Sequence, residues 1–186
     1  MFERMIGAAR LDVHTYEQVE NDPNATIQAM LVVIIVAIAA GIGGLLAFGD
    51  GEAANPIWGL VLGVIRGLVG WALWALVTFL IGTTILKTAR TNASWSQLAR
   101  TTGFAQTPGV FQILGFIPFI GWLIALVASI WQVMAMVVAV RQPLDYESVW
   151  RAIGVVVIGF IIGAIVLTFI AGLFVGFGRG PGFPTM

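Results

Sequence analysis

Hydrophobic and polar positions along this chain come in blocks rather than alternating residue by residue. Three blocks carry no charge, Ala29–Phe48, Phe119–Val140 and Ala152–Phe177, and a fourth, Ile57–Leu86, is interrupted only by Arg66. Each holds ~20 residues or more, the length an α-helix needs to cross ~30 Å of hydrocarbon. Lipid satisfies no backbone amide and the blocks show no strand-like alternation, so the pattern predicts transmembrane helices and not a barrel. Ahead of them the period changes. Phe2, Met5, Ile6, Ala9, Val13, Tyr16 and Val19 recur every three or four residues, with Arg4, Arg10, Asp12, Glu17 and Glu20 largely off that face. This predicts one amphipathic helix lying on the membrane surface or against the bundle. Asp22–Pro23 then offers an N-cap and a first-turn proline for the first span.

The stretch Thr101–Trp131 is harder to place. It is mostly apolar but carries Pro108 and Pro118, and the run between them is only ~10 residues, half a normal span. Charge decides between two topologies. If Leu98–Ile117 crosses, bent at Pro108, then Arg4, Arg10, Lys87, Arg90, Arg100, Arg141 and Arg151 share one side, leaving Arg66 and Arg179 for the other. If the segment only dips in and returns, the balance falls to six against three. Cytoplasmic loops collect Lys and Arg, so the full crossing is favoured, with the N-terminus in the cytoplasm and the C-terminus outside. The expected fold is therefore all-α. It has a five-helix transmembrane bundle (spans 28–48, 57–86, 97–117, 119–140 and 150–177) whose third span is short and proline-bent. The amphipathic helix occupies 1–24, and "GRGPGFPTM" closes the chain as a tail over 178–186. Pro118 and Gly121 form a tight hairpin in "FIPFIG", with Trp122 as an interfacial anchor. Ser94-x-x-Gln97 reads as a capping box opening the third segment.

Composition agrees: 59% of residues are hydrophobic and 10% charged, where soluble domains carry roughly a quarter. The chain has no cysteine, which removes disulfides, thiolate chemistry and Cys-based metal sites. The N-terminal segment does not read as a cleavable signal peptide and is expected to be retained. Net charge is zero, with no basic stripe to hold nucleic acid. His14 is the only histidine and lacks neighbours at metal-ligand spacing. No acid lies within a span, which argues against proton-coupled transport, and no catalytic constellation is visible, so neither an enzyme nor a cofactor is expected.

Arg66 admits two readings. An intramembrane cation usually serves a ligand. Counting ~20 residues back from Leu86, however, ends near Gly67, which favours an interfacial Arg66 near Asp50 and Glu52. Gly59, Gly63 and Gly67 recur every four residues, as do Gly159 and Gly163. Such strips let helix backbones approach, here as packing within one bundle in preference to a dimer face or pore. Gln106, Gln112, Ser129 and Gln132 are the main polar side chains of the third and fourth spans, suited to interhelical hydrogen bonds or to lining a path. Tyr16, Glu17, Glu20 and Asp22 form a cytoplasmic interaction cluster, either solvated or docked on the basic loops.

The "TYEQVENDPNAT" segment, followed by "SWSQLARTTGFAQTPGVFQILGFIPFIGWLIALVASIWQVMAMVVAVRQ", resembles the prokaryotic branch of the Ypt-interacting-protein (YIP) family. The resemblance extends over roughly Phe2 to Phe174 and is strongest from Ser94 to Gln142. It implies five membrane helices with a cytoplasmic N-terminus and carries no catalytic residues. Eukaryotic relatives bind prenylated Rab-type GTPases. They carry a longer N-terminal region and an Asp-Leu-Tyr-Gly-Pro-type motif, neither of which this sequence has, so GTPase binding is not transferred. The expectation is a non-enzymatic protein of a prokaryotic plasma membrane, organising membrane complexes with lipids, other membrane proteins or itself as partners. The competing reading is a small permease or lipid-translocating protein with a path near Arg66, Gln112 and Gln132.

Overall fold

The computed structural model describes residues 1–48 and 55–178, with side chains of the last helix described through 166 and at Thr168; Asp50, Glu52 and the expected tail from 179 onward lie outside. Among the described residues every regular element is helical. The N-terminal segment is two helices, not the single one expected. α1 (Phe2–Ala9) and α2 (Val13–Asn21) are joined by a turn in which Leu11 is left-handed, at φ 61°. Asp12 is the cause, because its carboxylate accepts from the His14 and Thr15 amides at 3.3 and 3.2 Å and so starts a new helix. The Tyr16 hydroxyl donates to the Ala8 carbonyl at 3.1 Å and fastens the hairpin. Met5, Ala8, Tyr16 and Val19 are buried, while Phe2 and Ile6 stay exposed.

α3 (Ala25–Phe48) starts where the Asp22 carboxylate accepts from Asn24 at 2.9 Å and pairs with Arg4 at 2.7 Å. α4 (Pro56–Leu80) starts on Asn55, whose side chain accepts from Ile57 and Trp58, with Pro56 in the first turn. It runs on as a π-helical turn, Ile81–Ile85, against which Leu144 packs at Gly82. α5 (Trp95–Phe104) opens on the Ser94/Gln97 capping box, and a 3-10 helix (Thr107–Phe116) follows. α6 (Gly121–Arg141) and α7 (Val149–Gly178) complete the chain. Four stretches are long and apolar enough to cross a membrane: Ala25–Ala47, Pro56–Ile85, Gly121–Arg141 and Val149–Val166.

The segment around Pro108 is broken rather than bent. Proline has no N–H to donate and its ring strikes the carbonyl four residues back; α5 ends at Phe104, four residues before Pro108. The chain rewinds as 3-10 helix between α3 and α6. Its depth can be read along α3. A Cβ on Gly103 would lie 2.7 Å from the Ala29 Cβ, one on Gly109 would lie 2.8 Å from Val36, and Gly43 faces the Gln112 carbonyl. From Ala29 to Gly43 is about 21 Å of α-helix at ~1.5 Å per residue. The stretch from Gly103 to Gln112 therefore lies alongside this length of α3. Gly121 then packs on the Gly115 carbonyl across the Pro118–Ile120 turn, where Phe119 is left-handed at φ 67°.

Two glycines separate this packing from helix propensity. Gly43→Ala puts a methyl against the Gln112 carbonyl and within 3.1 Å of the Ile113 Cα, and backbone cannot give way as a side chain would. We expect a loss of about 1–3 kcal/mol. Gly63→Ala meets nothing within 4 Å and should gain up to about 1 kcal/mol of helix propensity. Thermal unfolding of both variants in one detergent checks the contrast. Equal midpoints would place the third segment away from α3.

Candidate functional site

Two small-residue contacts set the register of α4 on α3, and a third seats it on α5. Gly41 receives Leu60, with a Cβ there 2.6 Å from the leucine methyl, and Gly67 lies on Ala37 at 3.2 Å. Trp71 abuts Gly103, which itself rests on Ala29, and its Nε1 donates to the Ala99 carbonyl at 2.9 Å. Arg66 therefore lies beside the middle of α3. From Val36 the helix runs on to Phe48, about 18 Å at ~1.5 Å per residue. Trp71 is level with the first turns of α3, so the final part of α4 runs past the start of α3. The count back from Leu86 starts in that overhang.

Beside Arg66 is a cavity of about 610 Å³ between α3, α4, the α5/3-10 junction, α6 and α7, a size typical of small-molecule sites. Its polar residues are Arg66, Gln106, Ser129 and Gln132, and Val33, Val36, Trp74, Met136 and Phe160 supply apolar wall. Gln132 reaches in because Gly109 has no side chain: a Cβ there would lie 3.2 Å from its Oε1. The Ser129 hydroxyl donates to its own helix, at the Ala125 carbonyl, 2.8 Å away. The Trp74 ring rests against Gly159 and lies 4.6 Å from the Phe160 ring, and its buried Nε1 has no partner among the described residues. Arg66, Gly63, Gly70 and Ser129 are exposed.

The other expected residues distribute as follows. Gln112 does not line the cavity and packs its carbonyl on Gly43. Gly59 is exposed, Gly63 and Gly163 have open space where a Cβ would go, Gly67 packs on α3, and Gly159 takes the Trp74 ring. Pro108 is buried in the 3-10 helix, Pro118 is exposed in the turn, and Gly121 is buried at the start of α6. Trp74 escaped the sequence reading because an indole in mid-span gives no signal of whether its N–H is satisfied.

A second cluster joins the N-terminal helices to α5, whose residues Leu98–Phe104 are all buried. Arg100 donates to the Glu20 carbonyl oxygen at 2.5 Å, and Gln97 donates to the Glu20 carboxylate at 3.1 Å. The guanidinium thus serves main chain, not the carboxylate. Burial, reinforced by the charge of Asp145, pushes the Glu20 carboxyl up to about 7, with Arg100 opposing and Glu17 adding. Asp22 is held below the carboxylate range, chiefly by the Arg4 hydrogen bond. Burial raises the Tyr16 phenol. Glu17 remains exposed beside His14, at 3.9 Å. Trp131 of α6 donates to the Ala9 carbonyl at 2.7 Å and stacks on Phe111, so α1 is tied to the bundle at both ends of the hairpin.

No curated protein and no solved structure matches this chain. The family model for the Yip1 domain matches residues 12–173, from the start of α2 into α7. With this match and four apolar helices of spanning length, the chain is a multi-pass integral membrane protein belonging to the Yip1 family.

Proposed function

We propose that this protein is a non-enzymatic, five-span organiser of membrane complexes, working through the docked pair α1–α2. The carrying observation is the set of directed bonds from that pair to the bundle: Arg100 and Gln97 to Glu20, and Trp131 to Ala9. They turn a short polar leader into a rigid platform whose outer side carries Phe2, Ile6, Val13, His14 and Glu17. Preorganised surfaces bind at lower entropic cost, which suits an interaction role. On this reading the N-terminus is cytoplasmic. The 3-10 segment makes the third crossing, the C-terminus is outside, and the membrane is a prokaryotic plasma membrane. Its partners are lipids and other membrane proteins. The depth matched along α3 supports the crossing, and the positive-inside distribution supports the orientation.

Three measurements check this reading. Because the chain has no cysteine, single cysteines report topology directly. Phe119→Cys, at a position 94% exposed, should react with an impermeant maleimide from outside intact cells, and Glu147→Cys only after permeabilisation. Labelling of Glu147→Cys in intact cells with Phe119→Cys protected until permeabilisation, the pattern of a returning third segment, would rule out this topology.

For the interaction role, protein should be extracted from native membranes into nanodiscs and the retained proteins weighed by mass spectrometry. A stoichiometric partner kept by the unmodified chain and lost from the double variant Ile6→Ser/Glu17→Lys supports the platform. Retention of lipid alone by both counts against it.

The platform should also respond to pH. Glu20 titrates near 7 when docked, against an ordinary value of 4.5, so the docked state holds a proton that the undocked state releases. Docking is thus fully favoured below about 4.5 and weakens as pH rises through about 7. Hydrogen exchange of the α2 amides, corrected for intrinsic rates, should be slower at pH 6 than at pH 8. Glu20→Gln should abolish that difference.

A further inference from the structure

We propose that the cavity beside Arg66 binds an anionic amphiphile taken sideways from the bilayer, its phosphate or carboxylate on the guanidinium and its chain along the apolar wall. Arg66 forms no ion pair or hydrogen bond among the described residues. No Asp or Glu occurs between Ala25 and Phe48, Ile57 and Leu86, Leu98 and Ile117, Phe119 and Val140, or Ala152 and Phe177. The bundle therefore contains no internal counter-ion, although a cation at this depth is costly unless neutralised. Snorkelling does not resolve it: about 18 Å of α3 remains beyond Val36, well beyond an arginine's reach.

What surrounds Arg66 defines the missing partner. The guanidinium offers a planar fork matched to carboxylate and phosphate oxygens. Gln106 and Gln132 line the same cavity. The rest of the lining is apolar, which a small hydrated anion would not use but an acyl or prenyl chain would. Access matches this chemistry, since Arg66, Gly63 and Gly70 are exposed and the two glycines have nothing within 4 Å of a Cβ position. At mid-span such an opening faces lipid, so the membrane itself delivers the ligand. The site shares no residue with the α1–α2 platform, so either assignment can fail without the other.

Two tryptophans in the cavity wall, Trp71 and Trp74, provide a readout independent of activity. The full chain is placed in nanodiscs containing dibrominated phosphatidylglycerol, dibrominated phosphatidylcholine or a brominated free fatty acid, and tryptophan quenching is followed against lipid fraction. The Trp74-dependent component, identified with Trp74→Phe, should quench at about tenfold lower fraction of an anionic probe than of phosphatidylcholine, the scale of one charge-assisted contact. Arg66→Gln should erase that preference. Gly70→Leu, which fills the mouth where space is open, should do the same without lowering the unfolding midpoint. Preference for phosphatidylglycerol assigns a phosphate lipid, and preference for the fatty acid assigns a carboxylate. Equal quenching by all three probes overturns the proposal, as does a preference that survives either substitution in folded protein.

Discussion

A buried backbone amide or carbonyl needs a partner, and at the buried Pro108 the chain meets this constraint with one donor missing and one carbonyl obstructed. The arrangement of the bundle is organised around that point. α5 stops four residues short of the proline, and the chain continues as a tighter, longer-rising helix held between α3 and α6. Side-chain removal makes this possible, with Gly43, Gly103, Gly109 and Gly121 each letting a neighbour approach closer than a Cβ would allow. A 3-10 helix has poorer hydrogen-bond geometry than an α-helix and seldom runs this long. Here it is enclosed on two sides by regular helices.

Stopping α5 early also creates its role. A ten-residue helix, buried from Leu98 to Phe104, becomes the element on which α2, α3 and α4 converge. Its polar side chains are used locally: the Thr101 and Thr102 hydroxyls donate back to carbonyls of their own helix, while Gln97 and Arg100 turn outward to Glu20. The N-terminal hairpin is thereby joined to the same helix whose end marks the proline break. The hairpin and the 3-10 segment share one support.

The cavity follows from the same geometry. Because Gly109 sits opposite Val36, Gln132 of α6 reaches the space beside Arg66, and Gln106 at the α5/3-10 junction joins it. Gln112, six residues further on, faces α3 with its backbone. An uninterrupted α-helix through this stretch would have distributed these amides by a single 3.6-residue period. The change of helix type at Thr107 decides which of them share a site.

Much was legible in the residues alone because it depends on neighbours in sequence. The four long apolar helices follow from block length, and the start at Ser94–Gln97 from local capping, which needs only a side chain and the next turn. The break at Asp12 was equally local, yet hidden by a continuous apolar period that α1 and α2 preserve by folding back on each other. Depth was a different matter. Arg66 reads as interfacial or central according to which end of a thirty-residue helix is taken as the membrane boundary. Only the seating of Leu60 on Gly41 and of Gly67 on Ala37 sets that register. Periodicity tells a helix which face to bury, but not which residue of a distant helix will meet it. That is decided by the fit of small side chains against large ones across the bundle, which exists only once the helices are packed.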